Sequence, residues 1–290
     1  MTALATQLLD WFAVAARVMP WRTQRNPYFI WVSEIMLQQT QVATVTPYFE
    51  RFIARFPTVE ALAEAPLDEV LKLWEGLGYY SRARNLHRGA NYVLTHFAGE
   101  LPRTAPQILE VPGIGPYSAG AILSIAYGVP EPAIDGNVIR VFSRLYALKH
   151  TFDKAQPKRE LDRLVREHIP VDEPGDFNQA LMELGALLCR PKNPDCEGCP
   201  VQSHCQAYRE GDPTRYPFKG KKTKVKAVTL PVVWVQNKAG QVLVCQQNEK
   251  GIFKDLWCLP DRERLQSDAS PCQVKEEGLL TTVEHTLTHR

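Results

Sequence analysis

Four cysteines crowd between positions 189 and 205, and no other feature limits the fold of this chain so strongly. They read Cys189-RPKNPD-Cys196-EG-Cys199-PVQSH-Cys205, directly after an apolar helical run, Gln179 to Leu188. The chain has 7 cysteines, an odd number, and so local a group makes a poor disulfide framework. Metal is the better purpose, and the cytosol the expected compartment. Four soft thiolates on one loop suit zinc or a cubane iron–sulfur cluster. Zinc ribbons usually bring two Cys-x-x-Cys knuckles where this loop has one, so the spacing favours iron–sulfur and leaves zinc open. Arg190 and Lys192 sit in the same loop, where a folded cluster would hold them out toward a phosphate backbone.

Upstream of that loop, apolar residues recur at three and four positions, as in Leu8, Leu9, Phe12 and in Val138, Val141, Phe142, Leu145. This is helix periodicity, and Pro-bearing joints such as Phe56-Pro57 and Leu101-Pro102 cut it into short helices. Residues 1–212 are therefore expected to be all-α. A basic connector over 213–227, with Lys219, Lys221, Lys222, Lys224 and Lys226, reads as a solvated linker. Beyond it, β-branched runs at 228–235 and 241–245 predict a hairpin opening an α+β domain over 228–290. That stretch is short for such a core, so the domain is expected to be truncated. With 290 residues, a net charge of +2 and no apolar run long enough for a membrane span, the chain has room for two folded domains and no global basic field. Nucleic acid, if bound, must be held by local donors.

Two segments supply such donors and a reactive pair. Leu109-Glu110-Val111-Pro112-Gly113-Ile114-Gly115-Pro116-Tyr117 fits a helix-hairpin-helix near 105–128, with Gly113 and Gly115 letting backbone N–H groups face a phosphate, though the turn by itself equally suits an ordinary helix connection. Asp135 opens a helix expected over 136–148. It is a good N-cap in any case, and the helix field there is expected to lower its pKa. In a helix predicted over 27–40, Glu34 shares a face with Ile30, Trp31, Leu37 and Gln38. Apolar surroundings should raise its pKa into the range of a general acid, unless it faces solvent or pairs with Arg22 or Arg25. One carboxyl pushed up and one held anionic is the pattern for cleaving an acetal-like bond.

At these residues the sequence resembles the adenine DNA glycosylases of the MutY family, within the helix-hairpin-helix superfamily. The likeness runs through Pro20-Trp21-Arg22, SEIMLQQTQV from Ser33, EGLGYYSRARNL from Glu75, VPGIGPYSAGAI from Val111, AIDGNV from Ala133 and the cysteine loop. It implies a two-lobed all-helical catalytic part with a [4Fe–4S] cluster on Cys189, Cys196, Cys199 and Cys205. It also implies flipping and removal of adenine mispaired with 8-oxoguanine in double-stranded DNA. Glu34 would protonate the base and later assist water. Asp135 would stabilise the cationic sugar, with Asn137 and Tyr117 supporting that geometry. Arg22 and Gln179 match the adenine pocket. Gln39 and Tyr79 match side chains that enter the duplex, with Leu37 and Leu77 beside them, although core packing is the ordinary reading of a tyrosine there.

The nearest rival is the endonuclease III type, which carries a lysine nucleophile where this chain has Tyr117. A tyrosine cannot form a Schiff base, so a monofunctional hydrolase is expected. The carboxy-terminal part resembles the Nudix-like domain that such enzymes use to read 8-oxoguanine, without a Nudix box. The lesion-reading segment would fall at Leu287-Thr288-His289, making Thr288 and His289 its candidates. The expected protein is a cytoplasmic monomer, associated with the nucleoid through DNA and with no membrane partner.

Overall fold

The computed structural model describes residues 1–218, 220, 229–247, 255–261, 265 and 278–283. The chain divides into two compact units, Met1–Gly220 and Lys221–Arg290. Among the described residues the first is built from twelve α-helices: α1 (Ala3–Ala15), α2 (Pro27–Leu37), α3 (Val42–Arg55), α4 (Val59–Ala63), α5 (Leu67–Leu73), α6 (Ser81–Phe97), α7 (Ala105–Ile108), α8 (Pro116–Tyr127), α9 (Gly136–Leu145), α10 (Ala155–Arg166), α11 (Pro174–Leu187) and α12 (Gln206–Arg209).

Local chemistry sets the ends of these helices. Asn26 Oδ1 accepts from the N–H groups of Tyr28 and Phe29 and starts α2, with Pro27 at its first position. At the end of α8, Gly128 takes φ 67° and returns its N–H to the last turn. Two helices are shorter than their periodicity predicts. α2 stops at Leu37 because Gln38 leaves helical ψ and Gln39 turns the chain at φ 61°, and α9 stops at Leu145. Pro106 does not break α7 but lies in its first turn, where a missing N–H costs nothing.

The helices sort into two groups. α1 and α9 to α11 bury Leu8, Phe12, Val138, Phe142, Val165, Phe177 and Leu181 in one core, against which Cys189, Cys199 and Cys205 also pack. A second buried set comes from α2 to α6 and the residues that flank them and is rich in aromatic rings, including Phe52 against Phe56 at 5.0 Å and Trp21 against Phe49 at 5.3 Å. α8 packs on both α2 and α11, so it spans the two groups.

Within residues 213–218, read above as the start of a linker, Tyr216 packs on this unit. Tyr216 is 1% exposed, and its carbonyl accepts from Arg144 Nε at 3.2 Å. An aromatic ring is worth more in a core than in a connector. In the second unit, Asn237 to Gly240 form a turn, closed by an antiparallel bridge between Gln236 and Val242. β1 (Cys245–Gln246) pairs antiparallel with β2 (Trp257–Cys258). The connector lysines, Thr288 and His289 lie outside the described residues. No helix among the described residues is long and apolar enough to cross a membrane.

Candidate active site

α2 is buried on nearly every face from Ile30 to Met36, and this is what carries a carboxylate inside: Glu34 is only 6% exposed. Neither basic candidate neutralises it. Arg25 pairs with Asp176 at 3.2 Å, and Arg22 with Glu183 at 3.1 Å. The packing of α8 on α2 brings the Tyr117 hydroxyl onto Glu34 Oε2 as a donor, with Met182 Sδ 3.3 Å from the same hydroxyl. Burial pushes the Glu34 carboxyl from 4.5 up to about 7, aided by the nearby Asp135 charge and opposed by Tyr117 and Arg22. Burial and the two carboxylates hold Tyr117 well above 10, so its hydroxyl keeps its proton and acts as a donor.

Asp135 caps α9. Its Oδ1 accepts from the N–H groups of Asn137 and Val138, both at 2.8 Å, and its Oδ2 from Asn137 Nδ2 at 2.6 Å. The expected depression of its pKa does not occur. Burial raises it above the usual 3.8, outweighing the donors from Val138 and Asn137 and the charge of Arg140. Desolvation in a cavity wins here over a helix end that solvent-exposed caps enjoy.

Glu34, Asp135, Asn137, Tyr117, Arg22, Gln179 and Leu37 line one cavity of about 540 Å³. Such a volume suits a small ligand. The sequence reading missed its most anchored wall. Glu183 on α11, 1% exposed, accepts from Arg17 Nε at 2.6 Å, Arg17 Nη2 at 3.0 Å and Arg22 Nη2 at 3.1 Å. Burial pushes its carboxyl up, but these guanidinium groups hold it below the usual range. A signal existed, because Gln179, Met182, Glu183 and Ala186 fall on one helical face. Arg140 was missed too: it donates to Asn137 Oδ1, to the Gly185 carbonyl and to the Cys189 carbonyl, each at 2.7 Å. It thereby braces Asn137, and through it Asp135, against the cysteine loop.

Within that loop none of the four cysteines forms a disulfide. Cys196, Cys199 and Cys205 each sense the thiol of Cys189, and burial pushes Cys199 up to about 12. Among the described residues no group of three or more His, Cys, Asp or Glu side chains is gathered so as to hold a single metal ion. Arg144, 2% exposed, donates to Cys189 Sγ at 3.2 Å and to the Arg190 carbonyl at 2.8 Å, fixing the loop on α9.

A profile of the HhH-GPD superfamily of base excision DNA repair proteins matches residues 32–167. An adenine DNA glycosylase of Buchnera aphidicola (from Schizaphis graminum) is 38% identical over 257 residues, covering 88% of this chain and 73% of that protein. The chain belongs to the adenine DNA glycosylases. The Homo sapiens adenine DNA glycosylase is 45% identical over 215 residues, covering 71% of this chain and 39% of its own. Among solved structures, a thermostable thymine-DNA glycosylase superposes with a TM-score of 0.65 at 28% identity, over 71% of this chain and 95% of the other. The protein is thus a DNA repair glycosylase, a hydrolase of N-glycosidic bonds, and the helix-hairpin-helix formed by α7, residues 109–115 and α8 is that of its superfamily.

Several expected DNA contacts take a different form in this glycosylase. Leu77 is 6% exposed and packs inside its loop. Gly113 takes φ 87°, and an added Cβ would lie 2.8 Å from Asn85 Cβ; Gly115 has φ −100° and open space around it, so only the first needs to be glycine. The Arg190 guanidinium, though exposed, donates to the carbonyls of Leu187 and Asn193 and ties the loop to the end of α11. Gln39 and Lys192 are exposed, and Tyr79 is half-buried at φ 50°.

Proposed function

We propose that this glycosylase removes adenine mispaired with 8-oxoguanine or guanine, and that it does so by hydrolysis alone. The observation that carries the reading is the cavity that joins a neutral-poised Glu34, donor Tyr117 and capped Asp135. Glu34 enters protonated and passes its proton to a ring nitrogen of the flipped adenine. The bond from sugar C1′ to the base then breaks, its electron pair leaving with the base. Asp135, fixed by Asn137, lies across from the developing cation and stabilises it. Water adds to C1′, its proton returning to the Glu34 carboxylate, and free adenine and an abasic sugar result. Arg22 and Gln179 border the adenine. Leu37, Gln39, Tyr79, Gly113 and Lys192 face the duplex.

Among the described residues no lysine lines the cavity, and Tyr117 stands where a strand-cutting enzyme would need one. Without an amine there is no Schiff base and no β-elimination, which sets this reading against that of a strand-cutting enzyme. The test is single-turnover reaction on a duplex with adenine opposite 8-oxoguanine. Free adenine with strand breaks only after alkali is expected; breaks without alkali overturn the monofunctional reading.

For the cysteine loop we propose a [4Fe–4S] cluster held by Cys189, Cys196, Cys199 and Cys205, a donor set of the right type in which the thiols are neighbours without closing on one point. When bound, such a cluster would cross-link the loop. Iron and sulfide content test this, and zinc without iron overturns it. We assign residues 1–212 to catalysis and 228–290 to a Nudix-like lesion-recognition domain, supported by the antiparallel pairing of β1 and β2.

A further inference from the structure

One buried cation on α6 belongs to neither the cavity nor the cysteine loop. Arg82 is 7% exposed, and among the described residues its hydrogen-bond partners are carbonyls and a hydroxyl and not a carboxylate. Nη1 donates to the carbonyls of Ile35 at 3.0 Å, Met36 at 2.8 Å and Gln38. These belong to the last turn of α2 and the residue after it, where carbonyls lack helical partners and a cation is favoured. Nη2 donates to the Leu77 and Gly78 carbonyls at 3.3 and 3.2 Å and to Thr40 Oγ1 at 3.3 Å. The guanidinium also lies 5.5 Å from the Trp74 ring centre and 5.2 Å from that of Tyr79.

A single side chain therefore grips two loops far apart in sequence. Each loop has a non-glycine residue in the left-handed region, Gln39 at φ 61° and Tyr79 at φ 50°, a conformation that persists only where surroundings impose it. The first loop runs directly into Thr40, Gln41 and Val42 on the cavity wall. α6 also meets the hairpin, since Gly113 abuts Asn85.

We propose that Arg82 is a positioning residue that locks the loops carrying Gln39 and Tyr79 into one rigid wedge, and that it serves opening of the duplex and not cleavage of the bond. The inference rests on the reading above that these loops face DNA. A planar fork is required, because a lysine offers a point charge that cannot span carbonyls from both loops.

The test uses the full chain with its metal loop loaded, an adenine mispair flanked by 2-aminopurine, and the variants Arg82→Lys and Arg82→Gln. Base extrusion is followed by the stopped-flow fluorescence rise, and cleavage by single-turnover adenine release across pH. Extrusion is expected to slow at least tenfold in Arg82→Gln and less in Arg82→Lys, while the pH midpoint of the cleavage step stays near that of the wild type. Extrusion at the wild-type rate in both variants, or a shifted pH midpoint, overturns the proposal. Should Arg82→Gln not fold, Arg82→Lys alone decides by the same two readouts. If the wild type itself gives no fluorescence rise, the duplex-facing reading of the loops fails, an outcome distinct from failure of Arg82.

Discussion

Replacing Glu34 by glutamine should make the protein more stable while removing its activity, and the gain should grow with pH. The folded carboxyl holds its proton up to about 7, whereas the unfolded chain releases it near 4.5. Between those values the folded state binds more protons, so wild-type stability falls as pH rises through that window. At about 1.4 kcal/mol for each pH unit, the full cost above pH 7 is about 3 kcal/mol. Glutamine never ionises and still offers Oε1 to the Tyr117 hydroxyl, in the weaker uncharged form. Glu34→Gln should therefore match the wild type within about 1 kcal/mol at pH 4.5 and exceed it by about 2–3 kcal/mol at pH 8. For a domain of this size that is roughly 5–10 °C in Tm. The assay is urea unfolding of both proteins, prepared identically, from pH 4.5 to 8.5, with adenine release measured in parallel. A difference that stays constant with pH, or that is largest in acid, refutes the argument that desolvation of a single buried carboxyl sets this site. The wild type should lose activity as pH rises through about 7, when the general acid deprotonates.

At Asp135 the cap and the chemistry can be separated. Asp135→Asn keeps an acceptor for the Asn137 and Val138 N–H groups and should leave stability within about 0.5 kcal/mol, whereas Asp135→Ala should cost about 1 kcal/mol by urea unfolding; adenine release should collapse in both. Gly113→Ala, at φ 87° and tight against Asn85, should cost more than about 1 kcal/mol and weaken duplex binding in an anisotropy titration. Gly115→Ala, with open space around it, should change neither by more than about 0.5 kcal/mol. Glu183→Ala leaves Arg22 without its buried partner and should destabilise by about 3 kcal/mol, the low end for such a pair because Arg17 can turn to water.

Much of the site was legible in order along the chain. The cap-forming Asp135, the Pro116 and Gly128 that bracket α8, and the placing of Glu34 among Ile30, Trp31 and Leu37 are local patterns, and local patterns survive into the fold. What the pattern of a single helix could not give was the outcome of competing fields. At Asp135 the helix end and the cavity act in opposite directions, and the depth of burial decides. Leu77, placed by the resemblance beside the duplex-entering Tyr79, turns inward, and nothing local in the sequence sets that direction.

Sequence alone therefore determined where most helices lie and which residues are candidates for the chemistry: helices from period, ends from caps and glycines, a loop of soft donors from cysteine spacing. Tertiary structure alone decided who meets whom. Arg17 with Glu183, Arg82 with the carbonyls that end α2, Arg140 with the Cys189 carbonyl, and Tyr117 with Glu34 are joined across long stretches of chain. Such pairs leave no period or motif in a sequence, since a hydrogen bond depends on distance and angle in space, which are set only when helices such as α2, α8 and α11 have packed.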